Sequence, residues 1–93
     1  MSRHVIRVGD KTTTGGTVIT GDPLASDQER PIARKGDMAT CLLCRVGIGP
    51  IAEGQEGWEL HGQPVALEGH VVACGCPWGT NRLVGSADAS MVE

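Results

Sequence analysis

Four cysteines stand in two close pairs, Cys41-Leu42-Leu43-Cys44 and Cys74-Gly75-Cys76. In a CxxC, two thiolates can converge on one ion from a single tight turn, with backbone amides turned toward the sulfurs. In a CxC the side chains share a face of an extended strand, and Gly75 adds the freedom to draw both sulfurs toward one point. Four thiolates at tetrahedral reach suit zinc, with Zn–S near ~2.3 Å. Three readings compete. One is a structural zinc site made by Cys41, Cys44, Cys74 and Cys76. A second lets His70 or another histidine replace one cysteine. A third is a disulfide or a redox CxxC. A Cys74–Cys76 disulfide would close a very small, strained ring. A redox CxxC sits at a helix N-terminus, and no such helix is legible. Iron at the same thiolates is chemically open.

No other constellation offers chemistry. The sequence holds no nucleophile elbow, no phosphate loop, no HExxH and no convincing acid pair. Glu53, Glu56 and Glu59 read as a solvated face. A closed four-thiolate zinc leaves no open position for water or substrate. The expectation is a protein that is not an enzyme.

The elements that must position the cysteines repeat. One octet occurs three times: Arg7-Val8-Gly9-Asp10-Lys11-Thr12-Thr13-Thr14, Arg34-Lys35-Gly36-Asp37-Met38-Ala39-Thr40-Cys41 and Leu67-Glu68-Gly69-His70-Val71-Val72-Ala73-Cys74. The alignment extends upstream to His4-Val5-Ile6, Pro31-Ile32-Ala33 and Pro64-Val65-Ala66. Downstream, each unit re-enters a short apolar run that ends at glycine. Short β-branched segments bounded by Gly, Asp and Pro predict strands, and no long helical apolar period survives the glycines and prolines. The fold class is all-β: a small cone of three pseudo-threefold related β-hairpins, each unit a strand, a glycine turn, a loop and a strand. Such pairs are unstable alone but can bury a common axis together.

Equivalent positions carry the chemistry. Asp10, Asp37 and His70 share one column, where a side chain closes a turn. Thr14, Cys41 and Cys74 share another, so the first unit is expected to pack without ligating. Segments 21–30 and 54–63 read as polar, turn-rich connections, and 86–93 as a loose tail. The expected organisation is a domain over 1–86 with a short C-terminal tail at 87–93. His4 and His61 read as surface residues.

With no Phe or Tyr and two Trp, the core is thin, and a small domain of this kind needs a staple that a metal could supply. A net charge of -3 with scattered Lys and Arg argues against nucleic acid. No apolar run approaches ~20 residues, and the N-terminus lacks the pattern of a secretory signal. Folding in the cytoplasm is expected, where cysteines are metal ligands more often than disulfides.

The combination resembles the PAAR-repeat family, small proteins that tip the spike of bacterial type VI secretion machines. The Pro-Ala-Ala-Arg motif appears as Pro31-Ile32-Ala33-Arg34 and, degenerate, as Pro64-Val65-Ala66-Leu67. Gly9-Asp10-Lys11-Thr12-Thr13-Thr14-Gly15-Gly16 is similar to the family's opening, where many members carry histidine in place of Thr14. The resemblance covers residues 4 to about 86. It implies a cone with zinc near its apex and a base seated on a trimeric VgrG-type spike, one cone per trimer. It also implies effector or adaptor partners, transient contact with a target membrane, and delivery by type VI secretion without a signal peptide. The family's His-rich zinc set is not reproduced, so the ligands rest on this chain's own cysteines. Apolar residues away from the cysteines, such as Val5, Ile32 and Val65, read either as base contacts or as ordinary core, and the sequence does not separate the two. Two other classes remain in view: a zinc-ribbon-like binding module and a rubredoxin-like iron protein.

Overall fold

The computed structural model describes residues 3–86, 89, 91 and 92. Among these it is all-β, without a helix. The strands are β1 (Arg3–His4), β2 (Ser26–Asp27), β3 (Arg30–Pro31), β4 (Met38–Thr40), β5 (Ile48–Pro50), β6 (Gln55–Leu60), β7 (Gln63–Val65) and β8 (Met91–Val92). They are short because each segment pairs with one neighbour for two or three residues and then with another. Single bridges continue the pairing: Arg7 with Ile32, Arg34 with Val65, and Val5 with Leu67.

Each octet builds the same turn. Gly9, Gly36 and Gly69 have φ of +94°, +97° and +88°, a region that side chains rarely enter. The fourth residue then closes the turn by accepting the first residue's amide hydrogen. The Arg7 N–H donates to Asp10 Oδ2 at 2.8 Å and the Arg34 N–H to Asp37 Oδ2 at 2.7 Å. In the third unit the Leu67 N–H donates to His70 Nδ1 at 3.0 Å. His70 therefore does the aspartate's work, with its proton on Nε2. Burial, then the Arg3 charge, holds its pKa below the usual histidine range, which keeps Nδ1 free to accept.

The threefold relation closes on itself. The Ile6 N–H donates to the Ala66 carbonyl at 3.0 Å, Ala66 to Ala33 at 3.0 Å, and Ala33 to Ile6 at 2.8 Å. These three equivalent residues form a hydrogen-bonded ring, tight enough that two of its members are alanine. Neighbours along a strand face opposite ways, so two apolar clusters form. Ile6, Ala33 and Ala66 join Val18, Ala39, Ile51, Val72, Leu83, Cys41 and Cys74. Val5, Ile32 and Val65 join Leu67, with Ala25, Trp58 and Leu60 packed on them. Val5 and Val65 are 0% exposed and Ile32 8%. They are core, not a contact surface, because the ribbons described next cover them.

The connections are more ordered than their polarity suggests. Segment 21–30 enters the β2–β3 hairpin, and 54–63 builds β6–β7, which holds the longest strand. Their turns place Gln28 and Glu29, then His61 and Gly62, at positive φ, the two-residue geometry that matches strand twist. The third unit of this set is made by the ends of the chain: Arg3 pairs with Val92 and His4 with Met91. The expected tail at 87–93 falls partly outside the described residues. Its described part is not loose, because β8 completes the third ribbon and Ala89 is buried.

Charged groups are enclosed on this side. Arg7 is 0% exposed and lies 3.5 Å from Asp27 and 3.8 Å from Asp10, which also accepts from Arg30 at 2.7 Å. Arg34 pairs with Asp37 at 3.3 Å and with Asp22 at 3.8 Å. The exposed His61 ring bonds to buried Asp22, and His4 Nδ1 to Glu68 at 2.9 Å. Both histidines thus anchor a carboxylate rather than stand free at the surface.

Candidate metal centre

The octet register delivers the cysteines. Cys41 directly follows β4, where its N–H donates to the Gly47 carbonyl at 2.9 Å, while Cys74 follows the Ile51–Val72 bridge. The four sulfurs of Cys41, Cys44, Cys74 and Cys76 all lie within 4.8 Å of one another, at one end of the body. Cys41 and Cys76 Sγ are 3.7 Å apart, and a tetrahedron of Zn–S bonds has an edge of about 3.8 Å. The donor set therefore fits one tetrahedral ion, and the four clustered cysteines can hold a metal. No disulfide joins them. His70 is not in this group: it is 7% exposed and engaged at Nδ1 by its own turn.

Each pair is shaped by backbone. The Leu43 and Cys44 amides hydrogen-bond the Cys41 sulfur, the pattern a CxxC turn provides. Gly75 has φ of +102°, and a Cβ there would stand 3.2 Å from Val46 and 3.8 Å from Cys44 Sγ. Glycine is required for the CxC to bend toward its partner pair. Gly49 serves the same approach from behind. A Cβ on it would lie 2.1 Å from the Ala73 carbonyl oxygen and 2.7 Å from Cys74 Cα.

The sulfurs differ in acidity. A hydrogen bond from Thr14 lowers the Cys41 thiol to about 6, aided by the Leu43 amide against the opposing effect of burial. Burial pushes Cys76 up to about 12, with the neighbouring sulfurs adding to it. Four thiolates cannot crowd together without a cation to balance them, so the first ionises readily and the last resists. A bound cation removes that resistance and releases protons.

Thr14 is the functional residue that spacing alone left as packing. Its hydroxyl reaches Cys41 and also lies 3.0 Å from Asn81 Oδ1 and 3.2 Å from Thr12 Oγ1. Asn81 is 1% exposed. The first unit thus contributes a hydrogen bond to a ligand where the others contribute the ligand. The column alignment carried this signal, since Thr14 occupies the cysteine position. Asn81 had none.

A family model described as PAAR motif matches residues 8–79. No curated protein matches the chain.

Proposed function

The chain belongs to the PAAR-motif family, associated with the type VI secretion spike, and from that membership we propose that it caps a trimeric VgrG-type spike protein, one cone per trimer. The observation that carries the reading is the closed ring through Ile6, Ala33 and Ala66. One polypeptide with three equivalent faces can meet three identical chains without mismatch. The ribbons β1–β8, β2–β3 and β6–β7 give each face a similar strand edge, suited to stacking on the end of a β-structure. The role is mechanical and not enzymatic: the cone sharpens the tube that meets a target membrane, and effectors or an adaptor attach to it. The chain is cytoplasmic until assembled and is then delivered with the spike.

Zinc is the proposed ion. It would be held by Cys41, Cys44, Cys74 and Cys76 as a closed structural site with no open coordination position. Its contribution is rigidity, where the four sulfurs join the loops beyond the larger apolar cluster.

Co-expression with a VgrG-type trimer tests the reading. One cone should co-purify with three spike chains, by mass measurement of the complex. A 1:1 ratio per spike chain, or no association, rules out the threefold cap.

A further inference from the structure

The closed threefold relation leaves one of its three turns uncovered. Arg3, Arg30 and Gln63 occupy one register position, each at the same spacing before its unit's turn glycine. In the ring the first unit donates to the third, the second to the first, and the third to the second. The two arginines follow that order. A Cβ on Gly69 would stand 3.2 Å from Arg3 Nη2, and one on Gly9 would stand 3.2 Å from Arg30 Nη1. Each guanidinium lies over the turn of the unit its own unit donates to, and bonds there. The Arg3 Nε–H donates to the Glu68 carbonyl at 2.9 Å, and Arg30 Nη2 donates to Asp10 Oδ1 at 2.7 Å. By the same order Gln63 belongs over Gly36, yet nothing comes within 4 Å of a Cβ there. A glutamine amide ends short of where a guanidinium reaches.

Burial records the difference. Asp10 and His70 are buried and Asp37 only partly so, while Gly36 is exposed where Gly9 and Gly69 are partly covered. The charges around the open turn are nearly balanced. Asp37 Oδ2 accepts from the Arg34 amide and from Arg34 Nε–H, and Oδ1 accepts from the Thr20 hydroxyl at 3.0 Å. Arg34 also meets Asp22, which the His61 ring bonds. A carboxylate oxygen has two lone pairs, so Asp37 Oδ1 can take a second donor, as Asp10 Oδ1 takes Arg30. Lys35 is exposed on the same turn, and among the described residues no carboxylate pairs with it.

We propose that the Gly36 turn is a docking slot for one arginine of a protein partner. That guanidinium lies over the glycine and donates to Asp37 and to the Lys35 carbonyl, as Arg30 and Arg3 donate at the other two turns. Lys35 calls for a carboxylate beside the arginine in the same partner segment. A trimer meets three equivalent faces and has no use for a slot present once. The occupant is therefore a partner bound in one copy per cone, an effector or adaptor in the cap reading, on which this inference rests for its setting.

Amide NMR of the full, metal-loaded chain tests it with a blocked tripeptide of aspartate, arginine and glycine, against the same peptide with glutamine for arginine. The arginine peptide should move the Gly36 and Asp37 amides and leave those of Gly9 and Gly69, where the chain's own arginines fill the place. The glutamine peptide should bind about tenfold more weakly. Gln63→Arg should fill the slot from within, abolish the peptide's shifts and raise the melting temperature by about 4 °C. Gln63→Ala should keep the slot open and the shifts intact, which separates a filled slot from a disturbed strand. No shift, equal shifts with both peptides or at all three turns, or shifts that persist in Gln63→Arg overturn the proposal. So does a chain that is dimeric by mass measurement and monomeric in Gln63→Arg, since the occupant is then a second copy. Capping of the spike trimer is read separately by co-purification of wild type: its failure with the peptide shifts intact removes the cap reading and leaves the slot standing.

Discussion

The two ends of this body solve the same problem differently. At the ribbon end, Arg7, Arg34 and their carboxylates are enclosed by three two-stranded ribbons, over a cluster that Trp58 and Leu60 help to cover. At the cysteine end, short loops converge and large apolar side chains stay outside. Three chains converging near an axis leave progressively less room between them. Where there is width, side chains hold the units together. At the other end Cys41 and Cys74 close the larger apolar cluster, and four sulfurs able to hold a cation join the loops beyond it. The stability of the apex is thus expected to depend on one ion, and that of the ribbon end on many small terms.

The largest effect should come from the ion. Cys74→Ser should lose the bound metal, by elemental analysis, and lower stability on the order of 4 kcal/mol, the linkage expected for a ligand present at a thousandfold its Kd. His70→Asn, which keeps a turn acceptor, should retain the metal. Unchanged metal in Cys74→Ser, or its loss in His70→Asn, would reassign the fourth ligand.

A pair of glycine substitutions separates close approach from backbone conformation. At Gly49 a Cβ collides with the backbone that carries Cys74, so Gly49→Ala should cost about 3 kcal/mol or more by overpacking and weaken metal retention. At Gly36 φ is +97° with nothing within 4 Å, so Gly36→Ala should cost about 1–2 kcal/mol from the backbone alone and leave the metal in place. Equal losses in chemical denaturation would erase the distinction between the two ends.

The smallest effect is a pH dependence at the ribbon end. The Leu24 amide, then the His61 ring and Arg34, hold the Asp22 carboxyl below its ordinary range. Because the folded value is depressed, the stabilisation is present above the unfolded value and lost as pH falls toward the folded one. Melting followed from neutral pH down to about 3 should show a steeper acid limb in wild type than in Asp22→Asn. Identical limbs would mean that Asp22 contributes no linkage.

The octet was legible because backbone geometry imposes it three times. A positive-φ glycine followed by a turn-closing acceptor leaves a fixed trace, and His70 kept that trace while changing the acceptor's chemistry. The ribbons were not legible. Gln28 and Glu29 are not typical residues for a turn with two positive φ values, and β6 alternates too weakly to announce a strand. Their order comes from pairing with β3 and β7. Whether Val5, Ile32 and Val65 are core or base contacts was not legible for the same reason, since the cover that makes them core is built by segments that read as polar loops.

The sequence by itself determined the all-β class, the threefold register and the two cysteine pairs, because all of these are local spacings. Only the tertiary structure decided that the ring closes through Ile6, Ala33 and Ala66, that β8 completes a ribbon with β1, and that Thr14 reaches Cys41. Those contacts join residues far apart in the chain, and chain spacing carries no record of which distant groups a closed threefold body brings within bonding distance.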